Sequence, residues 1–208
     1  MLFRSQRDLA EVVAGLRTPR NGNVTVCGQP TARSGAVGAR RAGLAYVPED
    51  RLGTGLAPSL SMVDNLVLTR ERGFLVDRKT AHDEAEYFIK QLEIKTPGPL
   101  TPTRKLSGGN AQKVLLAREL FAVSGSRVLV VCSPTRGLDV GAVEAVHALL
   151  DEARDSGKAI LLISEDLDEV MTLADRVMVL YRGKITLEQP GANANLEHVG
   201  RAMAGIAS

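Results

Sequence analysis

The chain has 208 residues and a formal net charge of +2, with 44% hydrophobic and 24% charged residues. This length suits one domain, or one domain with a subdomain, that buries about 70% of its unfolded surface. The small net charge gives no argument for a nucleic-acid partner. No apolar run reaches the ~18 residues of a membrane span, and no signal peptide is visible. Cys27 and Cys132 are isolated, which gives no sign of an oxidising compartment. The sequence therefore predicts a cytoplasmic protein.

Apolar periodicity predicts alternating helices and strands along the chain. The predicted helices cover residues 8–16, a segment capped by Ser61, and residues 81–92, 107–121, 140–155 and 167–173. The predicted strands cover residues 24–27, 43–47, 128–131 and 159–163, with a final hairpin at 177–180 and 185–187. Short apolar strands alternating with helices indicate an α/β protein whose parallel sheet is covered on both faces. No element is predicted past Pro190.

The most informative motif is LSGGN at residues 106–110. Ser107 is a small hydroxyl residue that can cap the predicted helix, and Gly108 and Gly109 follow it. This arrangement leaves backbone N–H groups bare at the helix start, where the local dipole is positive. The motif therefore predicts a surface that binds a phosphate group.

The predicted strand at residues 128–131 ends at Cys132 and Ser133, directly before the sequence PTRGLD at residues 134–139. A nucleotide hydrolase needs two acids at such a strand end, one for Mg²⁺ and one for the attacking water. Neither Cys132 nor Ser133 carries a fixed negative charge at neutral pH. The pattern thus predicts a phosphate surface without hydrolytic acids.

Three motifs together resemble the ATP-binding subunits of ABC transporters: LSGGNAQK at 106–113, PTRGLDVG at 134–141 and YVPEDR at 46–51. The resemblance covers about residues 6 to 188 and is most similar to the second nucleotide-binding half of the tandem ATPases of bacterial simple-sugar and nucleoside importers. It implies a P-loop NTPase-like (RecA-like) layered sheet with a helical subdomain.

The resemblance also implies a division of the chain into four segments. Residues 1–60 would be the N-terminal remnant of the ATPase core, including the Q-loop region, and residues 61–122 the helical signature subdomain. Residues 123–190 would be the C-terminal part of the core, followed by a tail at 191–208. The helical subdomain would meet a membrane permease.

Roles for individual residues follow from the same resemblance. Residues 107–109 would contact the γ-phosphate of a nucleotide held by the other half of a head-to-tail pair. Asn110 occupies a position where many relatives have Gln. Glu49 stands at the Q-loop position, which senses the γ-phosphate, and Asp139 would be the D-loop aspartate, which crosses between the halves.

The chain departs from the family pattern at several positions besides Cys132 and Ser133. Glu165 stands where the switch histidine normally lies, and a carboxylate there repels a γ-phosphate. The first strand and the G-x-x-x-x-G-K-[ST] phosphate loop are missing, because the alignment puts Gln6 at the lysine position and Arg7 at the Mg²⁺-binding hydroxyl. The resemblance thus implies an N-terminally truncated, degenerate half that is inactive alone. Loss of the acidic pair favours the nucleoside branch.

The implied cofactors are ATP and Mg²⁺, bound mainly at the partner's site. The implied partners are a second ATPase half, membrane permease subunits and, indirectly, an extracytoplasmic substrate-binding protein, with no nucleic acid. The chain would work as a peripheral protein at the inner face of the cell membrane. Arg51 and Arg136 have two open interpretations, contact with phosphate or a structural ion pair.

Two other functions are open at this stage. The chain could be a non-functional truncated fragment that takes no part in transport. It could also be an ABC ATPase of repair or chromosome maintenance, which shares the signature helix. Those proteins insert a long coiled coil before the signature, and residues 28–106 contain no sustained heptads, which disfavours this function.

Overall fold

The computed structural model describes residues 4–70, 77–122 and 125–206, which fall into two compact units. The first unit holds described residues 4–42 and 162–206, and the second holds those between 43 and 161. The helices are α1 (Arg4–Val13), α2 (Gly35–Arg41), α3 (Met62–Val67), α4 (Arg78–Gln91), α5 (Gly108–Ala117), α6 (Val140–Asp155), α7 (Leu167–Leu173) and α8 (Leu196–Met203). The strands are β1 (Thr25–Val26), β2 (Gln29–Pro30), β3 (Leu44–Val47), β4 (Val128–Cys132), β5 (Ala159–Ile163), β6 (Arg176–Tyr181) and β7 (Lys184–Pro190). The predicted α/β class is confirmed.

A three-stranded sheet with the order β3–β4–β5 supports the second unit. β3 and β4 are parallel, with Leu44 opposite Val128 and Val47 opposite Val131. Consecutive residues of β4 are buried, which means that both faces of this strand are covered. β5 is only half-buried along most of its length. The predicted parallel pairing is therefore confirmed for β3 and β4.

Serine caps begin two helices of the second unit, as predicted. The hydroxyl oxygen of Ser61 accepts a hydrogen bond from the amide of Asp64 at 3.1 Å, at the start of α3. Ser107 has the same role at α5. α4 begins three residues before its predicted start, because Asp77 caps it with hydrogen bonds from the amides of Lys79 and Thr80.

The end of α5 carries a buried ion pair. After α5 the chain makes a single wider turn of π geometry at Arg118–Ala122. Here Nε of Arg118 lies 2.8 Å from Oε1 of Glu119, and the two side chains are 5% and 0% exposed. Nη2 of Arg118 donates to the carbonyl of Gly55 at 2.6 Å, and Oε2 of Glu119 accepts from the amide of Tyr46 at 3.2 Å. This pair thus joins α5 to β3 and to the segment that follows β3.

The cap of α4 gives the stability a pH dependence. The pKa of Asp77 is held below its ordinary value of 3.8, chiefly by the hydrogen bond from the Thr80 hydroxyl and then by that from the Thr80 amide. A lowered folded-state pKa adds stability above the unfolded-state pKa, and this stability is lost as the pH falls through the folded-state value. We expect Asp77→Asn, which keeps a capping oxygen, to flatten the fall in unfolding free energy below about pH 4.

Urea denaturation between pH 3 and pH 7 measures this effect. Asp83→Asn, an exposed position on the same helix and outside its cap, controls for the loss of one negative charge. A slope below pH 4 that is identical in the wild type and in Asp77→Asn would refute the assignment.

The first unit is built around the antiparallel hairpin β6–β7, which was predicted. α8 packs against this hairpin through Val199 and Ala202, which are buried with Val177 and Val179. No element was predicted past Pro190, yet α8 has a clear start. The side chain of Asn195 accepts hydrogen bonds from the amides of the second and third residues that follow it.

The N-terminal part of the first unit differs from the prediction in two respects. α1 runs from Arg4 to Val13 rather than over residues 8–16, and Gly15, with φ of +74°, follows its end. A Cβ at Gly15 would lie 2.6 Å from the backbone of Gly35, so glycine is required both by the left-handed conformation and by the close approach. α2 was not predicted. Among the described residues, no helix has the length and apolarity needed to cross a membrane.

Candidate functional site

The start of α5 presents bare donors, as the sequence predicted. Ser107 and Gly108 are exposed, and within the described residues the N–H groups of Gly108 and Gly109 have no acceptor. The oxygen of Ser107 accepts from the amide of Asn110 at 3.4 Å and from its Nδ2 at 2.8 Å. The hydroxyl group of Ser107 and two amides without acceptors thus lie at the same helix end, whose dipole is positive. This chemistry fits a phosphate group.

The side chain of Asn110 stabilises the start of α5 with hydrogen bonds at both of its ends. Its Oδ1 accepts a hydrogen bond from the amide of Lys95 at 2.8 Å, while its Nδ2 donates to Ser107. One side chain therefore joins the loop after α4 to the helix start. Sequence analysis placed Asn110 in the motif but not its bond to Lys95, which lies 15 residues earlier.

The start of α6 lies directly against the same glycines. A Cβ at Gly109 would be 2.8 Å from the Cβ of Ala142, and one at Gly108 would be 3.7 Å from Cδ2 of Leu138. Asp139 caps α6, since its Oδ1 accepts from the amide of Ala142 at 3.0 Å. The structure thus brings Asp139 close to residues 107–109. The small side chain of Ala142, which was not among the predicted site residues, makes this approach possible.

Glu49 and the two arginines also lie at this end of the unit. Nη1 of Arg136 forms an ion pair with Oε1 of Glu49, and Nη2 of Arg51 donates to the backbone carbonyl of Arg136. Nη1 of Arg51 is 3.0 Å from the position that a Cβ on Gly108 would occupy. Burial lowers the pKa of Arg51, and the negative charge of Asp50 partly opposes this shift. Two interpretations of Arg136 were open, contact with phosphate or a structural ion pair. The structure shows the ion pair, with Glu49 as the partner.

The end of β4 holds Cys132 and Ser133, the positions expected to be degenerate. Cys132 is 7% exposed and Ser133 has φ of +44°, a left-handed conformation that is uncommon for a residue other than glycine. Mg²⁺ prefers carboxylate and other hard oxygen ligands. The residues at this strand end are a buried thiol and a hydroxyl, so they do not fit a Mg²⁺ ion.

The remaining predicted positions lie in the first unit. Glu165 is exposed in the loop between β5 and α7, and the next residue, Asp166, caps α7. Gln6 and Arg7 lie in the first two turns of α1, where Nε of Arg7 pairs with Glu11 at 2.8 Å. Neither side chain offers the free ammonium group of a phosphate-loop lysine.

The family model for ABC transporters matches residues 8–136, which is more than half of the chain. The chain therefore belongs to the ABC transporter family, and the resemblance stated from its motifs is confirmed.

Several curated relatives are import proteins. The ribose import ATP-binding protein RbsA 1 of Rubrobacter xylanophilus is 40% identical over 95% of this chain and 40% of its own length. The arabinose import ATP-binding protein AraG of Ralstonia nicotianae is 39% identical over 92% of this chain and 39% of its own. The guanosine import ATP-binding protein NupO of Bacillus subtilis is 34% identical over 96% and 40%. The chain spans about two fifths of the length of these relatives.

Solved structures agree on the fold. The post-hydrolysis dimer of the ATP-binding cassette MJ0796, bound to ADP and Pi, matches with a TM-score of 0.73 at 20% identity, over 88% of this chain and 79% of that one. Another dimeric structure of MJ0796, described as a bacterial ABC transporter cassette, matches with a TM-score of 0.72 at 20% identity over the same shares. The predicted P-loop NTPase-like fold class is thus confirmed.

Proposed function

We propose that this chain is an ATP-binding component of an ABC importer for a simple sugar or a nucleoside, and that its signature completes the ATP site of a partner half. By partner half we mean a second ATPase domain with its own G-x-x-x-x-G-K-[ST] loop. The names of the relatives support the importer role. The observation that carries the proposal is the bare N–H pair of Gly108 and Gly109, in a chain whose β4 ends at Cys132 and Ser133 without acids.

The chemistry of the signature suits a γ-phosphate held by the partner half. Bound ATP supplies the phosphoanhydride bond that is hydrolysed. The amides of Gly108 and Gly109 and the hydroxyl of Ser107 would donate to the γ-phosphate oxygens, and the start of α5 would stabilise their negative charge. This contact would also exclude bulk water from that side of the triphosphate.

The chain's own residues do not support hydrolysis at a site of its own. Cys132 and Ser133 cannot replace the carboxylates that order Mg²⁺ and polarise water, and Glu165 would repel a γ-phosphate. In this proposal the partner half provides the Mg²⁺ site, the catalytic carboxylate and the phosphate-loop lysine. The loss of both acids favours a nucleoside as cargo, and the permease and the extracytoplasmic binding protein would select it.

The location follows from the same proposal. The chain would be a cytoplasmic subunit at the inner face of the membrane, where the helical residues 61–122 would contact permease subunits. No nucleic-acid partner is included, because the net charge is only +2.

Turnover of MgATP tests the proposal. The full chain, a partner half cloned from the DNA that flanks its gene, and an equimolar mixture of the two are assayed for phosphate release. We expect background release from the chain alone and at least about 100-fold more from the mixture, because the chain alone lacks the two acids and the phosphate-loop lysine that the partner half provides. Equal rates for the chain and the mixture would refute the proposal. A mixture no faster than the partner alone would favour a non-functional fragment.

A further inference from the structure

A continuous set of contacts joins three segments of the second unit. Glu49 holds the side chain of Arg136, and Arg51 holds the backbone carbonyl of Arg136. The other end of the Arg51 guanidinium lies beside Gly108. Three segments that are far apart in sequence thus meet at Arg51: the segment after β3, the loop after β4 and the start of α5.

In these contacts the carboxylate of Glu49 and the guanidinium of Arg136 form an ion pair, while the guanidinium of Arg51 does not. Oε1 of the Glu49 carboxylate pairs with Nη1 of Arg136, so this acid is engaged within the chain itself. Arg51 has no ion pair within the described residues, and Oδ1 of the nearby Asp50 accepts from the amide of Gly53 at 2.8 Å. A half-buried guanidinium that donates to a carbonyl acts through geometry rather than through a paired charge.

The backbone of Arg51 is fixed on both sides. Residues Arg51–Gly55 form a single π turn, and Asp50 caps that turn. Gly55, at its end, accepts the 2.6 Å hydrogen bond from the buried Arg118. A π turn is rare and is often found at functional positions. Arg51 therefore extends from an anchored turn. Its side chain can thus hold the segments that it contacts in fixed positions relative to that turn.

We propose that Arg51 is a positioning residue that locks the start of α5 and the loop at residues 134–139 in one relative arrangement. The Glu49–Arg136 pair completes this brace, so that Glu49 acts as an anchor and not as a phosphate sensor. Because residues 107–109 and Asp139 are then fixed together, they meet the partner half as one surface. This inference rests on the proposed function for its effect on turnover, but the brace itself is a property of the isolated chain.

Hydrogen exchange on the full chain tests the brace without any partner. We expect Arg51→Met to speed amide exchange about fivefold in both segments, at Asn110 and Ala111, whose amides are bonded to Ser107, and at Arg136 and Leu138, whose amides are bonded within the loop. Arg104→Met is the matched control, since Arg104 is exposed, lies three residues before Ser107 and has no side-chain hydrogen bond or ion pair within the part of the chain that the structure describes. Unchanged exchange in either segment of Arg51→Met, or an equal change in the control, overturns the inference.

A double-mutant cycle tests the role of Glu49. If Glu49 and Arg136 act as one unit, then Glu49→Gln, Arg136→Met and the double variant speed exchange at residues 134–139 by the same factor. Additive effects would show that the two side chains act separately, which contradicts the brace.

Kinetics of the mixture test the consequence for turnover. We expect Arg51→Met to lower kcat about tenfold while the KM for ATP stays within about twofold, because the partner's phosphate loop dominates ground-state binding. Arg51→Lys, which keeps one donor, is expected to recover part of kcat. An unchanged kcat in a mixture that the wild-type chain stimulates overturns the inference. A wild-type chain that fails to stimulate the partner refutes the proposed function instead, and the exchange data distinguish the two failures.

Discussion

Ser107→Arg is expected to lower the MgATP turnover of the mixed halves by about 100-fold, which is the usual effect of losing an oxyanion-type donor at a phosphoryl site. The side chain of Ser107 is exposed, so an arginine fits without disturbing the core, but it covers the amides of Gly108 and Gly109. Steady-state phosphate release at saturating ATP measures the effect.

Asn195→Arg is the matched control for this substitution. Asn195 is also an exposed helix cap, at α8 in the first unit, so each variant loses about 1 kcal/mol of capping energy and gains the same bulky side chain. Turnover with Asn195→Arg should stay within about twofold of the wild type. If both variants lose turnover equally, the effect of Ser107→Arg comes from stability and not from the phosphate surface.

The largest effect on stability is expected at the buried ion pair. Glu119→Gln removes the negative charge that lies 2.8 Å from the buried guanidinium of Arg118, and breaking such a pair costs about 3–5 kcal/mol. This is a large fraction of the total stability of a typical domain. The midpoint and slope of guanidinium denaturation, followed by far-UV circular dichroism, measure the loss.

An exposed ion pair provides the comparison. Nη1 of Arg154 lies 2.8 Å from Asp151 on α6, and the two side chains are 41% and 43% exposed. Asp151→Asn should cost less than about 1 kcal/mol, because water screens such pairs. Similar losses in Glu119→Gln and Asp151→Asn would mean that burial of the Arg118–Glu119 pair has no structural importance.

Local signals explain where the sequence predicted the fold well. α6, α7 and β5 were predicted with the bounds that the structure has, because α6 has amphipathic spacing that Gly157 ends and β5 is a short apolar run. The structure adds that Asp139 and Asp166 cap the two helices. α8 was missed because it is stabilised by packing on β6 and β7, which the local sequence does not show. Its cap, Asn195, was the signal that could have been used.

In the candidate site, as in the fold, the sequence predicted features that depend on neighbouring residues and not those that depend on residues far apart in the chain. The roles of Ser107 and Gly108 rest on a contiguous motif, and the sequence predicted the bare helix start from it. The brace could not be predicted, because Glu49 and Arg136 are 87 positions apart and no periodicity relates them. Sequence analysis could name an ion pair for Arg136 as one possibility, and only the fold selects its partner.

The most direct measurement of the central claim is vanadate-dependent photocleavage. Mg²⁺, ADP and orthovanadate mimic the transferring phosphate, and irradiation cuts the backbone next to the vanadate, so mass spectrometry reads out which chain lies there. We predict cleavage of this chain at residues 107–109 only when the partner half is present, and none near Ser133. Cleavage of the isolated chain, or cleavage of the mixture in the partner half alone, would contradict the account.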